Sequence, residues 1–136
     1  MKGFTVLEII IVLLVLAIVA SAVIPKMIDT DSLGARVAAE VAATDIRAVQ
    51  ANAIFTGAPS AIVFTSGWSE YSAQGLLPPL RVLPSGATAG GSYSITFNGL
   101  GEPNFSSAQT LTFVNGGGST DLTVEPLTGK VTVGGS

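Results

Sequence analysis

The chain has 136 residues, room for one domain and one additional element, with nine acids against six bases and a formal net charge of −3. It contains no cysteine and no histidine, which excludes a disulfide framework, thiolate chemistry and imidazole-based acid–base or metal-binding sites. Its few Lys and Arg residues are scattered, so the clustered basic footprint of a nucleic-acid binder is missing too.

The chain opens with a short basic segment, Met1-Lys2-Gly3, followed by Phe4-Thr5-Val6-Leu7-Glu8 and an uncharged run from Ile9 to Ile24. Between Val6 and Ile24 the only charge is Glu8. A helix of about 20 apolar residues crosses a bilayer, and lipid forces such a run to satisfy its own backbone hydrogen bonds despite its β-branched content. Lys2 marks the cytoplasmic side, which sends the rest of the chain outward.

Three readings compete for this segment. It is a secretory signal peptide with Ala20-Ser21-Ala22 as the cleavage site, or a permanent single-span anchor, or a helix kept after removal of a very short leader. Glu8 discriminates among them. An unpaired carboxylate near the start of an apolar helix costs a few kcal/mol in lipid, and a secretory signal gains nothing from it. If the chain is cut after Gly3, Phe4 acquires a free α-amine, and the Glu8 carboxylate of one subunit has a cation to pair with on its neighbour. The competing reading is local: an acid in the first turn is favoured by the helix dipole.

Gly3-Phe4-Thr5-x-x-Glu8 followed by a long aliphatic run resembles the prepilin signature of type IV pilins and type II secretion pseudopilins. The resemblance implies cleavage between Gly3 and Phe4 by a prepilin peptidase, N-methylation of Phe4, and a role for Glu8 with Phe4 in assembly. It also implies a helix kink at Pro25, residence in the cytoplasmic (inner) membrane with the head outside, and an inner-membrane assembly platform. The partners would be other pilin subunits, in an extracellular pilus or a periplasmic pseudopilus. Val6-Leu7 stands where the family often has Leu-Ile.

Pro25 removes a backbone donor, and Asp29-Thr30-Asp31-Ser32 offers several capping side chains, so a loosened stretch is expected between Ser21 and Gly34. Helix resumes to about Phe55 and stops at Gly57-Ala58-Pro59. This half carries two apolar stripes: Ala35, Ala38, Ala42, Ile46, Val49 and Ala53 on one face, and Leu33, Val37, Val41 and Ala48 on another. Arg36, Glu40 and Arg47 separate them on one side, Asp45 and Asn52 on the other. A surface helix needs one stripe. Two suit a helix held between its own head and a neighbouring helix, or one largely buried in its own domain.

Beyond Gly57 the pattern turns to period two. Strands are predicted at Ala61–Thr65, Leu80–Leu83, Tyr93–Phe97, Leu111–Val114, Leu122–Val124 and Lys130–Val133. Asn98-Gly99-Leu100-Gly101, Asn115-Gly116-Gly117-Gly118 and Leu127-Thr128-Gly129 supply the turns. Trp68 and Tyr71 fall in a less regular stretch and are expected in the core. A strand soon after Gly57, an Ile-x-Phe strand running into Asn98-Gly99-Leu100-Gly101, and a final hairpin through Thr128-Gly129-Lys130-Val131 resemble the GspH/FimT group of minor pseudopilins and pilins. Some members of that group are linked to DNA uptake through basic residues near the C-terminus. Here Lys130 stands alone beside Asp121 and Glu125, so nucleic acid is not among the expected partners.

The glycine-rich stretches do not open a helix after a strand and carry no following Lys-Ser/Thr, so they read as turns. Asp121 and Glu125 are too few oxygens for calcium, which takes six to eight. No metal, cofactor or catalytic residue is assigned, and the Ser and Thr residues have no candidate base. The expectation is an α+β chain in which a long N-terminal helix, kinked near Pro25, packs on an antiparallel β-sheet head in the pilin manner. Residues 1–3 form the leader, 4–27 the membrane-spanning assembly helix, 28–56 its amphipathic continuation and 57–136 the head. The function expected is that of a structural, non-enzymatic filament subunit. The alternative is a secreted β-rich binding module released by signal peptidase.

Overall fold

A computed structural model describes residues 3–23 and 30–134. It contains an apolar helix α1 (Val6–Val23) and a second helix α2 (Thr30–Thr56). Eight strands follow: β1 (Ser60–Phe64), β2 (Glu70–Ala73), β3 (Leu80–Val82), β4 (Thr88–Ala89), β5 (Tyr93–Phe97), β6 (Gln109–Asn115), β7 (Gly118–Val124) and β8 (Val131–Val133). They form two four-stranded antiparallel sheets, in the order β3-β2-β1-β5 and β4-β6-β7-β8. The fold is α+β, with a long helix packed on antiparallel sheets, as expected.

The first apolar stripe of α2 is the spine of the core. Ala35, Ala38, Ala42, Ile46, Val49 and Ala53 are all fully buried. Their mostly small side chains let the helix lie close to strands of both sheets. Strand alternation supplies the facing layer: Ile62 and Phe64, Ile95 and Phe97, Leu111 and Phe113, Leu122 and Val124. Phe64 joins the two sheets, stacking on Tyr71 at 4.7 Å and meeting the edge of Phe113 at 5.5 Å. Each fully buried Phe contributes about 1.5–3 kcal/mol relative to exposure. A parallel bridge between Ser66 and Ala89 ties the sheets at one corner. The Thr112 N–H donated to the Tyr93 hydroxyl ties them again.

The ends of α2 are fixed by local chemistry. Gly57, at φ 64°, takes the left-handed position that closes the C-terminus, ahead of Ala58-Pro59. At the other end Asp31 Oδ2 accepts the Gly117 N–H at 3.1 Å, which pins the β6–β7 hairpin to the first turn of the helix. Gly116, at φ 54°, begins the two-residue loop of that hairpin. Gly118 lies against the backbone of Asp31 and Ser32, where any Cβ would collide.

Two expectations need correction. Trp68 is not a core aromatic: it is 61% exposed, while Tyr71 is buried. The stretch holding them contains a strand, β2, in which Tyr71 and Ala73 face inward and Glu70 and Ser72 outward. Trp68 is two residues before Glu70 and falls on the outward parity. The two-residue strand β4 was also not anticipated. The kink expected at Pro25 lies outside the described residues.

Candidate assembly surface

The start of α1 is built by Thr5. Its carbonyl accepts the Ile9 N–H at 3.1 Å, and its hydroxyl accepts the Glu8 N–H at 3.3 Å. Thr5 thus caps the start of α1 through the backbone N–H of Glu8, and the Glu8 carboxylate stands in the first turn. Gly3 and Phe4 precede the helix, and both are exposed, as is Glu8. Phe4 and Glu8 line one shallow depression together with Ile9, Val12 and Leu13.

Every large apolar side chain from Val6 to Val19 is at least half exposed. A helix apolar on all sides is stable only when something outside its own fold covers it. The 18 residues of α1 rise about 27 Å, against about 30 Å of bilayer hydrocarbon. Among the described residues no helix is long and apolar enough to cross a membrane. The span expected over residues 4–27 runs on past Val23, into residues outside those described.

The second stripe of α2 is not covered by the chain's own head. Leu33 is 58% exposed and Val37 41%, while Val41 and Ala48 are half-buried. A groove of about 500 Å³ runs along this stripe, bordered by Arg36 and Glu40 and closed on its far side by Asp45 and Arg81. On the same outward face Val37, Val41, Thr44, Ala48, Ala51 and Phe55 alternate spacings of four and three, the pattern of a helix that packs on another helix.

Asp45 is the functional surprise of the groove. The sequence places it on a polar divide between stripes, but its side chain is nearly buried. Its Oδ2 accepts the Tyr71 hydroxyl at 2.5 Å and pairs with Arg81 Nε at 2.5 Å. Tyr71 and Arg81 are cross-strand partners on β2 and β3, so one helical acid clamps the border of a sheet. Burial, and then the hydrogen bond to the Asp45 carboxylate, push the Tyr71 hydroxyl well above the usual tyrosine range. No local signal marks this triad, because its members meet only through strand register. Asp121, weighed above for calcium, instead accepts the hydroxyl of its cross-strand neighbour Thr112 at 2.7 Å.

A helical spine with one uncovered stripe, an apolar helix before it and a two-sheet head define a pilin-like subunit. The family model described as Type II transport protein GspH matches residues 38–128, about two thirds of the chain. The chain belongs to this family, whose members are type II secretion pseudopilins. Comparisons with curated proteins and with solved structures gave no match. The family match covers most of α2 and of the head; α1 and the residues before it lie outside the matched range.

Proposed function

We propose that this chain is a structural subunit of a type II secretion pseudopilus or a type IV pilus, inserted in the membrane as a prepilin. It is processed between Gly3 and Phe4 by a prepilin peptidase, methylated at Phe4, and polymerised through α1. The single observation that carries this reading is the uncovered apolar surface of α1 in a chain that belongs to the GspH family. Lipid covers that surface before assembly and neighbouring helices cover it afterwards. Helix burial holds the filament together, and an inner-membrane platform moves subunits from one setting to the other.

In this reading Glu8 has two duties. In the monomer its carboxylate stands in the first turn of α1, where the dipole favours it. In the filament it pairs with the Phe4 amine of a neighbour and sets the stagger, because a carboxylate in an apolar helix bundle is costly without a partner. The outward stripe of α2 continues the packing above the membrane. Glu8→Ala is expected to give membrane-inserted, processed protein and few filaments, scored by shearing and immunoblotting. Normal filament yield from that variant would refute the pairing.

A further inference from the structure

Each of the two sheets has two borders, and three of the four make at least one further hydrogen bond or bridge on their outer side. Outside β5 lies the segment through Pro103 and Asn104, with Phe97 bridged to Pro103 and the Thr96 N–H donated to Asn104 Oδ1. Outside β4 lies the Ser66–Trp68 turn, which exchanges backbone hydrogen bonds with Ala89. On β8 the Val131 carbonyl accepts Arg47 Nη2 at 3.0 Å. The border at β3 has a neighbour on one side only.

The register decides what that border offers. The Ala73 N–H is donated to the Pro79 carbonyl and the Leu83 N–H to the Ser69 carbonyl, both at 2.8 Å. Alternation places Arg81 opposite Tyr71 between these bonds, so the N–H and C=O groups of Leu80 and Val82 point away from β2. Their side chains are 58% and 61% exposed on the outer face of the sheet. Trp68, 61% exposed, shares the outward parity of Glu70, and Leu77 is exposed just before the strand. Glu70, the partner of Val82, adds one carboxylate there.

An open border of this kind normally frays. Here Arg81, the central residue of β3, is tied to nearly buried Asp45 from the inner face. Pro79 and Pro84 bracket the strand and confine any added ladder to Leu80–Val82. The result is a short, stiff, apolar border with two outward donors and two outward acceptors.

We propose that β3 is a strand-addition site for an extended segment of another protein, with apolar side chains at alternate positions and a basic side chain among them facing Glu70. Main-chain pairing to Leu80 and Val82 provides the attraction, and Trp68, Leu77, Leu80 and Val82 select the side chains. This site is separate from α1 and does not depend on how the filament assembles.

The test uses the full chain in detergent micelles and the synthetic peptide acetyl-TVTKTVT-amide, whose Val, Lys and Val share one face. Amide hydrogen exchange is followed by NMR. At millimolar peptide the Leu80 and Val82 amides should slow by about tenfold or more, while the same peptide N-methylated at both valines protects neither. Val82→Pro removes one outward donor at a position where proline suits an edge strand, so it should keep the native melting temperature and weaken peptide binding about tenfold. Equal binding of the N-methylated peptide, or no protection with the unmodified one, overturns the proposal. So does protection that rises with protein concentration in the absence of peptide, which assigns the border to self-pairing. If Val82→Pro fails to fold, the N-methylated peptide on the native chain decides.

Discussion

Replacing Asp45 by alanine should unfold the head more readily than any other single charge removal on α2. The carboxylate accepts the hydroxyl of a buried tyrosine and pairs with Arg81, whose side chain keeps 31% of its exposure. Losing a charge-assisted hydrogen bond and leaving the Tyr71 hydroxyl buried without a partner costs about 1.5–3 kcal/mol. The Arg81 pair, being partly solvated, adds only about 0–1 kcal/mol. The sum is about 3 kcal/mol, which for a head of this size lowers the melting temperature by roughly 10–20 °C. The assay is thermal unfolding followed by near-ultraviolet circular dichroism, paired with the same substitution in a Tyr71→Phe background. There the orphaned hydroxyl is gone, so Asp45→Ala should cost only about 1 kcal/mol, and the difference is the coupling between the two side chains. Asp45→Ala within about 0.5 kcal/mol of the native chain, or equal costs in both backgrounds, would refute the clamp.

The same hydroxyl sets a pH dependence. Tyr71 titrates at its ordinary 10.0 when unfolded and higher when folded, so above pH 10 the unfolded chain releases a proton that the folded chain retains. Its contribution is complete below pH 10 and is lost as pH rises toward the folded value. Urea midpoints of the native chain should therefore fall more steeply between pH 10 and 12 than those of Tyr71→Phe, and parallel slopes would contradict this. Thr120 on β7 is buried, and its hydroxyl has no hydrogen-bond partner. Thr120→Val replaces that hydroxyl with a methyl group of similar shape and should stabilise the head by about 1 kcal/mol, read as a raised urea midpoint.

What the sequence made legible followed from periodicity. The alanine-rich stripe of α2 repeats at helical spacing over nearly twenty residues, and all six of its members are buried. Tyr93–Phe97 alternates cleanly and is a strand with the bounds expected. The failures have physical causes as well. Glu70-Tyr71-Ser72-Ala73 is a four-residue alternation after an irregular turn, too short to declare its faces, so the local pattern does not show that Trp68 falls on the outward parity. Strand β4 has two residues and exists through pairing to β6 and the bridge to Ser66, contacts no local pattern encodes. The division into two sheets and the Asp45–Tyr71–Arg81 triad depend on register between distant segments. For the proposed assembly site, the motif singles out Gly3, Phe4 and Glu8, and the structure adds the Thr5 cap and the exposed apolar side chains of α1.

Filament assembly through α1 requires that the helix remain in the finished protein. Mass spectrometry of the N-terminal peptide from membrane-purified chain measures this directly. A chain that begins at Phe4 and carries one extra methyl group is the result predicted. A chain beginning at Val23, with its apolar helix discarded, would contradict it and leave a secreted β-rich module in its place.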